Sequence, residues 1–286
     1  FDDDMVLCHQ SAEKIEDCKK FRGSKYLQSM IGSAYNEAKH ALNEGRLVVF
    51  SGTGCQIAGL YSILQDKHPD NLIIVDLVCR GVSSPKLFHR LIDFESIKNG
   101  SKVVDYRSRD KFYGYDFSSA TIKFENSHIE YHKNIENDIL LGAYFKGLCS
   151  RPSCYDCHFR TVNRVSDFTI FDCWNAPSIS YKLTRKGATN VFIHTEKGQR
   201  VFDEIKDNFV YAESDVDKIV ASDGIMMRQQ PPKSPRRSEF FKDLNSGMSI
   251  TDIQNKYKRN LIKRAFVKVK PLLYKIGIWS IYMRMK

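Results

Sequence analysis

Apolar and polar positions along the chain follow two different periods. Residues 27–44 (LQSMIGSAYNEAKHALNE) repeat at helical spacing, and Gly45 follows as a stop, so the pattern predicts an amphipathic helix over 27–44. Leu47 to Phe50 read as a short apolar strand, Ser51 to Gly54 as a tight turn and Gln56 to Gln65 as a helix. His68-Pro69-Asp70 breaks the chain, and Leu72 to Val78 form a second buried strand that ends in Cys79-Arg80-Gly81. Ser83-Ser84-Pro85 then caps another helix, with Pro85 suited to its first turn. Strand, helix, strand, helix in this order predicts parallel βαβ units with both connecting loops at the carboxyl ends of the strands. Sheets of this kind hold their sites there.

Beyond Val103 the period shortens to two. Val103–Tyr106, Phe117–Phe124 and His128–His132 read as strands, the last two joined through Glu125-Asn126-Ser127. A cysteine-bearing loop covers 149–158, strands are expected at Asp167–Asp172 and Val191–His194, and a helix at Glu196–Asn208. Residues 229–238 (QQPPKSPRRS) read as a connection. The expected fold class is α/β: a mixed sheet with parallel βαβ units, an antiparallel hairpin region and a cysteine-bearing cluster loop.

Composition narrows the function. The 286 residues include 42% hydrophobic and 27% charged positions, which excludes a disordered chain and a small disulfide scaffold. The formal charge is +10, yet ten basic residues and no acidic one lie from Lys256 onward, so the preceding body is neutral. A basic face on the body is therefore not expected, and no nucleic-acid partner is expected. The tail mixes Lys and Arg with Leu, Ile, Phe, Trp and Tyr. It suits either an anionic membrane surface or a helix packed on its own protein. No apolar run is long enough to cross a membrane and no signal peptide opens the chain, so a cytoplasmic protein is expected, its tail able to reach the inner face of the membrane. The chain starts at Phe1 without an initiator Met, and upstream sequence is expected.

Eight cysteines occur: Cys8, Cys18, Cys55, Cys79, Cys149, Cys154, Cys157 and Cys173. Cys154-Tyr-Asp-Cys157 can turn two sulfurs toward one ion or cluster, and zinc, an iron–sulfur cluster and a redox disulfide all use this spacing. There is no second CxxC, so further ligands must be distant. Cys55 and Cys79 qualify because each follows a predicted parallel strand. The Gly52-Thr53-Gly54 turn could cradle a phosphate or a flavin edge, although Ile57 replaces the third glycine of a dinucleotide fingerprint; a plain tight turn explains the glycines equally well. Arg107, Arg109, Asp110 and Lys111, with Phe112, Tyr113 and Tyr115 beyond them, form either an anionic-cofactor patch or a solvated strand end. Asp172-Cys173-Trp174 ends another strand.

GTGCQIAGL, VDLVCRGVSSPKL and RPSCYDCHFR, together with RGSKYLQS (22–29), RSRDK (107–111) and RVSDFTIFDCW (164–174), resemble the coenzyme F-420 hydrogenase/dehydrogenase beta-subunit family over about residues 20–245. The resemblance implies an iron–sulfur flavoprotein oxidoreductase. Cys55, Cys79, Cys154 and Cys157 would ligate a 4Fe-4S cluster, and a flavin, FAD by this resemblance, would pair electrons for an unknown small-molecule substrate. Its implied flavin set is Ser24, Lys25, Arg109 and Lys111 for phosphates, the backbone around Gly52, Thr53, Gly54 and Gln56, and Asp172 with Trp174 for ring contact. It also implies a ferredoxin-type electron donor or an upstream ferredoxin domain. Residues 1–20 would then be a linker remnant, 21–245 the reductase core and 246–286 a basic amphipathic tail. Four positions depart from the family pattern: Gly54 stands for Pro, Arg80 for His, and Phe171 and Asn175 for the glycines of G-D-F-W-G, which implies a changed flavin or substrate pocket. The rival reading is a zinc- or cluster-stabilised non-redox protein, a transferase or scaffold of surface-polysaccharide synthesis.

Overall fold

The computed structural model describes residues 1–112, 115, 119–126, 130–174, 176, 187–258 and 269. Tyr113, Asn175, Ser127, the strand starts at 117 and 128 and nearly all of the tail beyond 258 lie outside these residues.

The amino-terminal half builds the expected βαβ frame. Helix α1 (Ala34–Asn43) ends where Gly45, at φ +77°, turns the chain back so that the Gly45 and Arg46 N–H groups bond the Leu42 and Ala41 carbonyls. The predicted first turns of this helix do not form. Residues 27–31 run extended, because the Met30 backbone pairs with Leu7 and His9 and Leu27 bridges to Ser83. Strand β1 (Val48–Thr53), helix α2 (Gly54–Ile63), strand β2 (Leu72–Leu77) and helix α3 (Pro85–Asn99) follow. Ser84 caps α3 by accepting from the Leu87 N–H, and Pro85 occupies its first turn.

Strands β3 (Val103–Asp110), β4 (Ser119–Phe124) and β5 (Glu130–Asn134) make a separate antiparallel sheet. The chain returns through α4 (Ile139–Phe145) and a 3-10 turn (Pro152–Asp156) to β6 (Phe168–Cys173) and β7 (Ala188–Ile193), followed by α5 (Glu196–Ile205), α6 (Val216–Ser222), α7 (Arg237–Asn245) and α8 (Ile250–Lys256). Helix α7 begins inside the segment expected to be a connection.

The larger sheet has the order β1-β2-β6-β7, with β1, β2 and β6 parallel and β7 antiparallel to β6. One face buries Phe50, Leu72 and Ile74 against Ile57 and Leu60 of α2, while Phe171 meets Ile219 and Val220 of α6. Each such aliphatic side chain contributes about 1.5–3 kcal/mol on full burial. On the opposite face Leu77, Ile170 and Val191, adjacent in register, stay 36–45% exposed. The smaller sheet packs on α3, α4, α7 and α8, and Met5 and Ile250 are buried in that same core.

Two local readings change. Ser51 to Thr53 continue β1 in register with β2 (Gly52 opposite Asp76), so no tight turn separates strand from helix. The ladder is a backbone property and outlasts the apolar run that signalled it. Arg107, Arg109 and Asp110 likewise lie within β3, at its register shifts against β4, rather than after it.

Candidate metal centre

The four expected cysteines come from three loops at the carboxyl end of the larger sheet. Cys55 is in the first turn of α2, at the helix end that favours negative charge. Cys79 follows β2, and Cys154 and Cys157 belong to the 3-10 turn before β6. Backbone pairing draws these loops together. Arg151 N–H donates to the Val82 carbonyl (2.9 Å), Ser83 bridges to Ser150, and Tyr144 Oη donates to the Gly81 carbonyl (3.2 Å). Gly81 is required where it stands. Its φ is +111°, and a Cβ there would lie 3.1 Å from the Cys154 Cβ.

The thiols interact through their charge. Burial pushes the Cys79 thiol up to about 11; the Gly81 N–H on its Sγ (3.2 Å) and the Arg160 guanidinium act in the opposite sense, while Cys154 and Cys55 add to the rise. Cys154 is raised first by burial, then by Cys157 and Cys55. All four are free thiols, and Thr53 Oγ1 lies 3.1 Å from Cys55 Sγ. Burial holds the Cys79 and Cys154 thiols protonated, and a polycation at this edge would convert the soft donors to thiolates. The donor chemistry, the amide on sulfur and the Cβ-free approach at Gly81 all fit an iron–sulfur cluster. Among the described residues no three His, Cys, Asp or Glu side chains converge as a site for a single ion.

Beneath this edge lies a polar network that the residue pattern left unread. Arg164 Nη1 donates to Asp76 Oδ2 (2.8 Å), with both side chains at most 6% exposed. Thr169 Oγ1 donates to the other Asp76 oxygen and meets His194 Nε2 at 2.8 Å, and burial lowers the His194 pKa. Arg164 reaches the start of α2, where a Cβ on Gly54 would sit 3.6 Å from its Nη1. The available signal was Asp76 itself, a carboxylate within an apolar strand, which requires a buried partner.

Residues 45–219 match the family described as the carboxyl terminus of the coenzyme F420 hydrogenase/dehydrogenase beta subunit. The chain belongs to this family. The family is associated with hydrogenase and dehydrogenase oxidoreductases. No curated protein matches the chain. The four cysteines all lie within the matched region of this beta-subunit domain.

The residues expected to hold flavin are engaged elsewhere. Lys25 Nζ donates to the Lys20 and Arg22 carbonyls (3.2 and 3.0 Å), and burial lowers its pKa. Ser24 and Arg109 both hydrogen-bond Tyr26. Arg109 also pairs with Asp172, donates to the Tyr115 carbonyl (3.0 Å) and packs on the rings of Trp174 (4.3 Å) and Tyr115 (5.0 Å). Lys111 lies over the same Tyr115 ring at 5.2 Å. Gln56 accepts from the Thr53 N–H and hydroxyl as a helix cap. Gly52 and Gly54 face close neighbours, Gln56 and Phe159, where a Cβ would come within 3.2 and 3.1 Å, so neither opens a cradle. In this arrangement the set does not fit a flavin. The pocket change expected from Phe171 is also revised: its ring points to the opposite face, edge-on to Phe192 (5.2 Å) and against α6. Arg80 donates to the Phe145 carbonyl at 3.3 Å.

Proposed function

We propose that this chain is the cluster-bearing domain of an iron–sulfur oxidoreductase, with Cys55, Cys79, Cys154 and Cys157 as ligands of one 4Fe-4S cluster. The observation that carries this reading is the gathering of four free thiols from three loops at one sheet edge, where burial and the neighbouring cysteines raise the Cys79 and Cys154 thiols. When bound, such a cluster supplies one-electron transfer.

The chain's own groups have distinct parts. Gly81 N–H orients the Cys79 sulfur and stabilises its thiolate. The Thr53 hydroxyl stands beside the Cys55 sulfur, and burial around Cys79 limits water at that ligand, two of the means by which a protein sets a cluster's potential. No step is assigned to a flavin. Among the described residues no helix is long and apolar enough to cross a membrane.

The test is a visible absorption spectrum of anaerobically purified protein, with iron, acid-labile sulfide, zinc and flavin assayed on the same sample. Brown protein with about four iron and four sulfide per chain is the expected result. Colourless protein containing zinc would overturn the redox reading and make the cysteines a structural clamp. A flavin in equal amount with the cluster would show that the residues around Arg109 do rearrange to hold one.

A further inference from the structure

Arg160, three residues beyond Cys157, is fixed from outside the cysteine loops. Its Nη1 donates to the carbonyls of Met226 (2.8 Å) and Gln229 (3.2 Å). The neighbouring Gln230 clamps Cys157 itself, accepting from its N–H (3.1 Å) and donating to its carbonyl (3.2 Å). Arg160 is therefore held by the same segment that holds the last ligand. Its Nε is buried and has no hydrogen-bond partner. A buried donor left unmade costs about 1–3 kcal/mol, and such groups are rare in folded proteins unless an acceptor completes them.

We infer that Arg160 is a positioning residue for the proposed cluster, its unpartnered Nε–H donating to a cluster sulfur and its fixed positive charge favouring the reduced state. This rests on the cluster reading above. A reduced cluster carries one more negative charge than the oxidised one, so a nearby buried cation and an N–H on sulfur both raise the reduction potential. Arg228 is the control: it is exposed, it is paired with Asp217 at 3.2 Å, and its charge is the same.

The experiment is an anaerobic redox titration of the whole protein, followed by the electron paramagnetic resonance signal of the reduced cluster, with iron counted in each sample. Arg160→Met is expected to keep its iron and to lower the ratio of reduced to oxidised cluster at least tenfold at the wild-type midpoint, equivalent to about 59 mV for one electron. Arg160→Lys, which retains charge but loses the planar fork, should shift by less, and Arg228→Gln should not shift. Full iron with an unmoved midpoint in Arg160→Met overturns the inference and leaves the cluster reading intact. Should Arg160→Met lose its iron, Arg160→Lys decides: a partial shift supports the role and an unmoved midpoint overturns it. Wild-type protein without iron overturns both readings together.

Discussion

The cysteine edge and the Arg109 patch both lie toward the carboxyl end of the larger sheet, the first after β1 and β2, the second where Arg109 of β3 meets Asp172 near the end of β6. They are opposite in state. At the cysteine edge the reactive atoms are free thiols, and burial keeps those of Cys79 and Cys154 protonated. At the Arg109 patch the charge is matched by Asp172, the ring faces by the guanidinium, and the Tyr115 hydroxyl by the Ala188 carbonyl (2.9 Å) and Asp172 (3.2 Å). Gly187 confirms how closely this second group is packed, since a Cβ there would overlap the Tyr115 ring. A position at a strand end is therefore not enough to make a ligand site. What distinguishes the two is whether the neighbours satisfy the polar atoms or leave them waiting for a partner.

The largest test of this contrast is compositional. Cys79→Ser should reduce bound iron from about four per chain to almost none, while Arg109→Met leaves it unchanged; iron and sulfide assays on both variants check this. Equal iron loss in the two would erase the distinction. Next in size is the buried pair under the cysteine edge. Asp76→Ala strands the Arg164 guanidinium and should cost about 3–5 kcal/mol in urea unfolding, with part recovered in the double variant with Arg164→Met.

A smaller effect separates a buried cysteine outside the ligand set. Burial pushes Cys149 up to about 11 from the ordinary thiol value of 9.0, so the folded protein keeps its proton where the unfolded chain would release it. Its contribution is full below pH 9 and is lost as the pH rises toward 11, up to about 3 kcal/mol. Denaturant melts across that range should show the fall, and Cys149→Val should flatten it. The smallest effect belongs to the closed patch: Arg109→Met should lower stability by about 1–2 kcal/mol in the same melts, because Asp172 remains 44% exposed on its side chain and stays hydrated.

Short-range signals carried much of the frame. The apolar runs at 47–50 and 72–78, the Gly45 stop and the Ser84-Pro85 start depend on a few adjacent residues, and β1, β2, α1 and α3 stand where these signals put them. The nearness of Cys55 and Cys79 was legible for a related reason: parallel strands place their carboxyl-end loops side by side, so these two had to be neighbours once β1 and β2 paired in register. The first helix failed at residues 27–31 because its backbone donors and acceptors bond Leu7, His9 and Ser83, and no local pattern announces partners that far away.

By itself, then, the sequence determined the βαβ frame and the sheet edge on which the cysteines proposed as ligands gather, since periodicity, caps and strand-end position are written in neighbouring residues. Tertiary structure alone decided which side chains remain available. Arg109 and Lys25 carry the charges a cofactor phosphate would need, but Asp172, Trp174 and the Lys20 and Arg22 carbonyls already satisfy them, and Phe171 turns to the far face of its strand. Arg160 became a candidate only when packing buried its Nε without a partner. Availability is set by what surrounds an atom in space, and the residues that surround these lie tens of positions away along the chain.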